Sequence, residues 1–158
     1  METRSASPDQ ATRGEDPASA GARVASVYLS PRRREPMQSV ASARAVAGFG
    51  LEGDAHARPG TDRQMLLIDL ETLDEMRIPA GALKENVTTT GLGLQSQPMG
   101  RLLRVGGALL RLTQPCPPCH LVDEVRPGLQ RHMVGRRGVL AEVVETGEIR
   151  VGDPIALA

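Results

Sequence analysis

The only two cysteines of the chain stand in "TQPCPPCHLVDEV", Thr113 to Val125, at a C-x-x-C spacing with His120 directly after the second. Four chemistries use such a pattern: half of a zinc site, a redox dithiol, c-type haem attachment, or one working thiolate beside a bystander. Structural zinc needs four ligands, and the whole sequence holds two Cys and three His. His56 and His132 would have to be recruited without the usual paired spacing. Haem attachment of this kind belongs to exported proteins, and one Phe, one Tyr and no Trp leave a poor wall for a macrocycle. A redox dithiol places its first thiol at a helix N-terminus, where the dipole lowers the thiol pKa. Here Pro118 disfavours the helical region for Pro117, and Pro115, Pro117 and Pro118 make a stiff extended segment instead. That segment would hold Cys119 in a fixed direction at the rim of a sheet. A regulatory bridge between the two thiols and an inert buried cysteine stay open beside it.

Two further stretches carry polar residues that a simple core does not need. In "GFGLEGDAHARPGTDRQ", Gly48, Gly50 and Gly53 allow sharp turns, and Asp54, His56, Arg58 and Arg63 follow. The glycine spacing formally fits a nucleotide-binding loop, but no strand precedes it, no helix follows, and Pro59-Gly60 interrupts. An Asp and a His tying down a glycine loop explain the stretch equally well. In "ALKENVTTTGLGL", Lys84, Asn86 and hydroxyls such as that of Thr88 offer donors and acceptors for a phosphate or a polar heterocycle. The alternative there is an irregular β-edge, where Thr is common by propensity.

The elements that would position these residues are short. "RVASVYLS" reads as a first strand through Val24, Val27 and Leu29, "SPRRREPMQSV" as a basic loop, and "QMLLID" as a buried strand. Asp69 is placed to cap a helix running to Met76, with Leu70, Leu73 and Met76 on one face. "GRLLRVGGALLRLTQ" reads as a hairpin turning at Gly106-Gly107, with Ala108, Leu110 and Leu112 facing inward. Pro127 would open a short helix carrying Leu129 and Met133 and ending at Gly135. "GVLAEVVETGEIRVGDPIAL" reads as a closing hairpin that turns at Thr146-Gly147, with Val139, Ala141 and Val143 on one face.

With 17 Gly, 12 Pro and many short apolar runs, the expectation is a mainly β fold with a few short helices, barrel-like in architecture. A length of 158 residues suits one domain over residues 23–158. Residues 1–22, rich in Ser, Ala, Pro, Gly and acidic side chains, read as a disordered tail. A formal net charge of zero leaves no basic footprint for nucleic acid and no membrane patch. No apolar run approaches the roughly 20 residues of a membrane span, and no apolar h-region marks a secretory signal. The expected location is the reducing cytoplasm, where a structural disulfide is not favoured.

Taken in order, these stretches resemble the MOSC domain family, the molybdenum cofactor sulfurase C-terminal domain and its stand-alone bacterial relatives. The resemblance runs from Val24 to Leu157 and is carried by "GLEGDAH" with "RQMLLID", "LKENVTTTGLGL", "MGRLLRVGGALLRLTQPCPPC" and "GRRGVLAEVVETGEIRVGDPIAL". It implies a MOSC-type β-barrel with one key thiol. Cys119, the second of the pair, is the matching position, which leaves Cys116 as the bystander. In relatives that bind molybdenum cofactor this cysteine ligates the metal, while basic and Asn positions hold the pterin and its phosphate. Lys84 and Asn86 match such positions, and Asp54, His56, Arg63 and Thr88 would form or support the pocket. Relatives in the sulfurase context are thought to handle sulfur destined for the metal.

Chemistry accommodates either role. Molybdenum in this cofactor already carries dithiolene and oxo or sulfido ligands, so one soft protein thiolate completes it. A persulfide carrier also needs a single accessible thiol that ionises below the free value of about 8.5. Arg63, Arg136 or Arg137 would stabilise such a thiolate. The chain has no room for the pyridoxal-phosphate domain of the full sulfurase, nor for the covering domain of the larger reductases. The expected function is therefore binding of molybdenum cofactor, or carriage of sulfur for it, as a sulfurtransferase or a molybdenum-dependent oxidoreductase component. The expected partner is the cofactor itself or a sulfur donor or acceptor protein, and a homodimer is left open. Two rivals remain: a non-catalytic binding module for an anionic small molecule, and a C-x-x-C thiol redox protein.

Overall fold

A computed structural model describes residues 21–158; most of the expected tail, residues 1–20, lies outside the described residues. Among the described residues, fifteen short elements follow one another. They are β1 (Arg23–Leu29), β2 (Gln38–Val40), β3 (Ser42–Val46), β4 (Gly50–Leu51), β5 (Met65–Asp69), α1 (Leu70–Met76), β6 (Val87–Thr90), a 3-10 turn (Leu94–Ser96), β7 (Leu102–Val105), β8 (Ala108–Pro115), α2 (His120–Asp123), α3 (Leu129–His132), β9 (Val139–Glu145), β10 (Gly147–Arg150) and β11 (Ile155–Leu157). The fold is mainly β with a few short helices.

Eight strands form one sheet in the order β11-β7-β8-β9-β5-β6-β1-β2, and β10-β3-β4 form a second. Among the described residues only β5 and β6 run parallel, and α1 provides the crossover that a parallel pair requires. The closed barrel expected from the resemblance is not formed as a continuous ring of ladders. Among the described residues, β1 meets the segment before β11 at an isolated bridge, Arg23 with Pro154, made by the Val24 N–H donating to the Asp153 carbonyl at 2.9 Å and the Ile155 N–H donating to the Ala22 carbonyl at 3.0 Å.

The strands bury the residues that their patterns mark. Every residue of β5 is buried, as its unbroken apolar run implies. In β8, Ala108, Leu110 and Leu112 are fully buried while Arg111 and Thr113 reach solvent. Val24 and Val27, three apart, both face the core because β1 bulges between Val24 and Ser26. The β7–β8 hairpin turns at Gly106-Gly107, with Val105 opposite Ala108 and Gly106 at φ 56°.

Two expectations change. The closing hairpin does not form: β9 pairs with β5 and β8, whereas β10 crosses to the second sheet and pairs with β3. The reason is a close backbone approach, since a Cβ on Gly147 would stand 2.0 Å from the Gly107 carbonyl oxygen. Asp69 does occupy the N-cap position of α1, but its side chain makes no cap bond. Its carboxylate instead accepts from the Thr89 hydroxyl at 2.9 Å and from the Leu94 N–H, tying β6 and the 3-10 turn to β5.

Two apolar clusters result. The larger fills the space between the sheets, and a smaller one lies under the helices, with Ile68, Leu73, Ile78, Leu83, Val122, Leu129 and Met133. The segment carrying the cysteines rests on the smaller cluster.

Candidate functional site

The stretch "ALKEN" is a loop pinned from beneath. The fully buried Glu85 carboxylate accepts from the backbone N–H groups of Gly81 and, at 3.2 Å, of Leu83. Burial pushes the Glu85 carboxyl up from its ordinary value, against the pull of those N–H donors and of Arg137. The Asn86 carboxamide accepts from the Leu66 N–H at 3.0 Å and donates to the Tyr28 carbonyl at 3.2 Å, so it splints β5 to β1. Between these two anchors Lys84 sits in the left-handed region, φ 66°. Its ammonium donates to the Glu35 carbonyl at 3.0 Å.

That bond ties the basic loop after β1 to the site. Asp54 fixes the start of the same loop, accepting from the Ser30 N–H at 2.7 Å. The loop thus brings Arg33 over the face of β5, where the glycine-rich segment after β4 delivers His56, Arg58 and Arg63. Gln64 holds the rim, accepting from the Val143 N–H at 2.9 Å and donating to the Thr61 carbonyl at 2.8 Å.

The outcome is a cavity of about 290 Å³ with a floor of Met65, Leu66 and Leu140. Its walls are Arg33, His56, Arg58, Arg63, Gln64, Lys84 and Asn86, and among the described residues no carboxylate lines it. Three guanidiniums, an ammonium and an imidazole around one opening give it the donors and the positive field that an anion would meet. Among the described residues, no three His, Cys, Asp or Glu side chains converge to hold a bare metal ion.

Of the residues singled out in the sequence, His56, Arg63, Lys84 and Asn86 meet here. Asp54 and Thr88 do not. Asp54 is buried beneath the loop with its second carboxylate oxygen unpartnered, and Thr88 is buried in β6 with its hydroxyl bonded to that of Ser26. Arg33 was legible only as part of a basic loop, because the Lys84–Glu35 bond that brings it in spans 49 residues of sequence.

Neither cysteine lines the cavity. Cys116 extends the β8–β9 ladder, its N–H donating to the Gly138 carbonyl at 2.9 Å. Burial pushes its thiol up, while the Arg137 and Arg63 guanidiniums pull it down and the neighbouring Cys119 raises it again. Cys119 is half-buried in extended backbone, φ −136°, where α2 begins, and its carbonyl accepts from the Val122 N–H at 3.0 Å. Of the two arginines after α3, Arg136 faces outward in an ion pair with Glu75 at 2.7 Å. Arg137 points inward and is buried.

Comparison with known proteins decides the family. The MOSC domain profile matches residues 53–156, which spans the cavity's glycine-rich wall, the Lys84 loop, both cysteines and the last strands. The chain belongs to the MOSC domain family. Solved structures share the fold of this MOSC domain. The YUAD protein of Bacillus subtilis superposes with a TM-score of 0.72 at 22% identity, over 85% of this chain and 93% of its own. YiiM from Geobacillus stearothermophilus gives 0.72 at 21% identity, over 87% and 75%. YiiM from Escherichia coli gives 0.65 at 25% identity, over 86% and 69%. No curated protein matches the chain in sequence.

Proposed function

We propose that this MOSC domain binds molybdenum cofactor, with the basic cavity as the seat of its phosphate end. The observation that carries the reading is the donor set: Arg33, Arg58, Arg63, Lys84 and His56 around one opening with no carboxylate among them. A dianionic phosphate fits such a set, and arginine forks suit phosphate geometry. The cavity volume, about 290 Å³, lies at the small end for ligand pockets, which suits one end of the cofactor and leaves the remainder to extend beyond it.

When bound, the cofactor supplies a molybdenum centre that exchanges oxo or sulfido ligands and electrons. The chain's own part is binding and placement. Arg33, Arg58 and Arg63 neutralise the phosphate, and Lys84 adds a donor from a loop that Glu85 and Asn86 hold rigid. Cys119 would supply the protein's sulfur ligand to the metal, and Cys116, whose thiol burial pushes up, would be the bystander. Carriage of a persulfide on Cys119 is the sulfurtransferase form of the same reading. A non-catalytic anion-binding module is the second reading, favoured by the position of Cys119 outside the cavity's lining.

The test is elemental analysis of protein purified from a host that makes molybdenum cofactor, beside Cys119→Ser and Cys116→Ser. Near-stoichiometric molybdenum, retained by Cys116→Ser and lost by Cys119→Ser, is the expected result. Cyanide-labile sulfur with the same mutant pattern and no molybdenum selects the sulfur-carrier form. Absence of both from the wild type, with pyrophosphate still bound, selects the anion-binding module.

A further inference from the structure

A second cavity, about 210 Å³, lies between the "ALKEN" loop and α2. Its walls are aliphatic: Ala82, Leu83, Leu121, Val122 and Val125. Leu83 and Val122 are buried in the smaller apolar cluster, while Leu121 is 46% exposed and forms the lip. Cys119 lies within one turn of this wall, since its carbonyl accepts from the Val122 N–H at 3.0 Å. A dry cavity of about 150 Å³ lined by such side chains holds a benzene ring, so there is room here for a ring with a short polar arm.

Three charged residues complete the lining, and two of them are already committed. Arg137 is buried, with Nη2 donating to the Leu83 carbonyl at 2.8 Å and with Nε and Nη1 closed to solvent. Lys84 gives its ammonium to the Glu35 carbonyl of the basic loop at 3.0 Å. Glu124 differs. It is half-buried, and its carboxylate has no hydrogen-bond or ion-pair partner among the described residues. The one uncommitted polar side chain that an occupant meets therefore accepts hydrogen bonds and donates none. Charge narrows the choice further. Glu124 repels an anion at the point of contact, and the guanidinium behind the wall opposes a cation.

We propose that this cavity binds a small neutral molecule with a hydrocarbon body and one O–H or N–H donor, an alcohol or a primary amide. The donor gives its hydrogen to the Glu124 carboxylate, a charge-assisted bond, and the body lies against Leu121, Val122 and Val125. Arg137 takes no part in the contact and acts only through its charge. The site is separate from the basic cavity and stands whether or not a metal cofactor is bound there.

The probes are benzyl alcohol and anisole, which share a ring and differ in the O–H donor, with benzoate and benzylamine as the charged matches. Each is titrated into the full-length cofactor-free protein and followed by ¹⁵N-resolved NMR. Benzyl alcohol should give saturable shifts at the Leu121, Val122 and Val125 amides and bind more tightly than benzoate or benzylamine. Glu124→Leu, at a half-buried side chain without a partner, should weaken benzyl alcohol about tenfold and leave anisole unweakened, because only the alcohol loses a bond to a charged acceptor. Ala82→Leu fills the cavity and should remove the shifts with both probes, the remaining amide signals showing that the fold is kept. Absence of saturation, shifts confined to the Arg33, Arg58 and Arg63 cavity, or tighter binding of benzoate than of benzyl alcohol would each overturn the proposal. So would benzyl alcohol binding undiminished in Glu124→Leu, or weakened there no more than anisole. None of these results bears on pyrophosphate in the basic cavity, so the two sites stand or fall separately.

Discussion

Lys84 carries more of the site than its single charge suggests. Its left-handed backbone costs a non-glycine residue about 1–2 kcal/mol, a penalty tolerated because the loop is fixed on both sides. Lys84→Gly removes that strain along with the ammonium, so stability should stay within about 1 kcal/mol of wild type. Binding of inorganic pyrophosphate to the cofactor-free protein should nevertheless weaken about tenfold, the worth of one charge-assisted hydrogen bond. Calorimetry beside thermal melting separates the two effects, and unchanged pyrophosphate affinity would remove Lys84 from the site. Glu85 and Asp69 make a prediction of opposite origin. Burial raises both carboxyls above their ordinary values of 4.5 and 3.8. Between those values and the raised ones the native state holds more protons than the unfolded chain, so these groups stabilise the fold increasingly as pH falls. Urea unfolding should therefore show wild type gaining on Glu85→Gln between pH 7 and pH 5; parallel behaviour of the two proteins would refute it. Sequence alone pointed to Lys84, Asn86, His56 and Arg63 by type and spacing. It could not separate Asn86 the cavity wall from Asn86 the splint, nor place Asp54 beneath a loop, since those roles depend on hydrogen bonds to distant backbone.

At the level of elements, legibility followed the range of the interaction. The β7–β8 hairpin, the buried run of β5 and the apolar face of α1 are set by neighbours a few residues away, and they form as their patterns imply. The expected closing hairpin failed because its fate depends on Gly107, forty residues upstream of Gly147. With no Cβ on Gly147, β10 can lie against the β7–β8 turn and join the second sheet. Gly147→Ala forces a methyl into the Gly107 backbone and should cost about 3 kcal/mol. Denaturant unfolding measures this, and a loss below 1 kcal/mol would mean that β10 can pair with β3 without the close approach. The barrel expectation fell short because β1 and the segment before β11 meet at a single bridge and not along a ladder.

On the scale of the molecule, the two apolar clusters divide the labour. The larger cluster holds the sheets, while the smaller one supports the short helices that follow the cysteines. Met133 is fully buried in the smaller cluster, and Met133→Ala should cost about 2–5 kcal/mol. Hydrogen exchange should accelerate first over residues 116–133, with β5, β8 and β9 still protected; uniform acceleration would show that the clusters unfold as one. Family membership and the mainly β fold were readable from ordered motifs across most of the chain. The place of Arg33 in the cavity wall was not, because it depends on the bond from Lys84 to the distant Glu35 carbonyl. That bond makes the Lys84 ammonium a latch as well as a lining group. An anion that draws on the ammonium loosens the latch, so pyrophosphate should speed amide exchange over residues 32–36, and Lys84→Gly should exchange at that faster rate with no anion present.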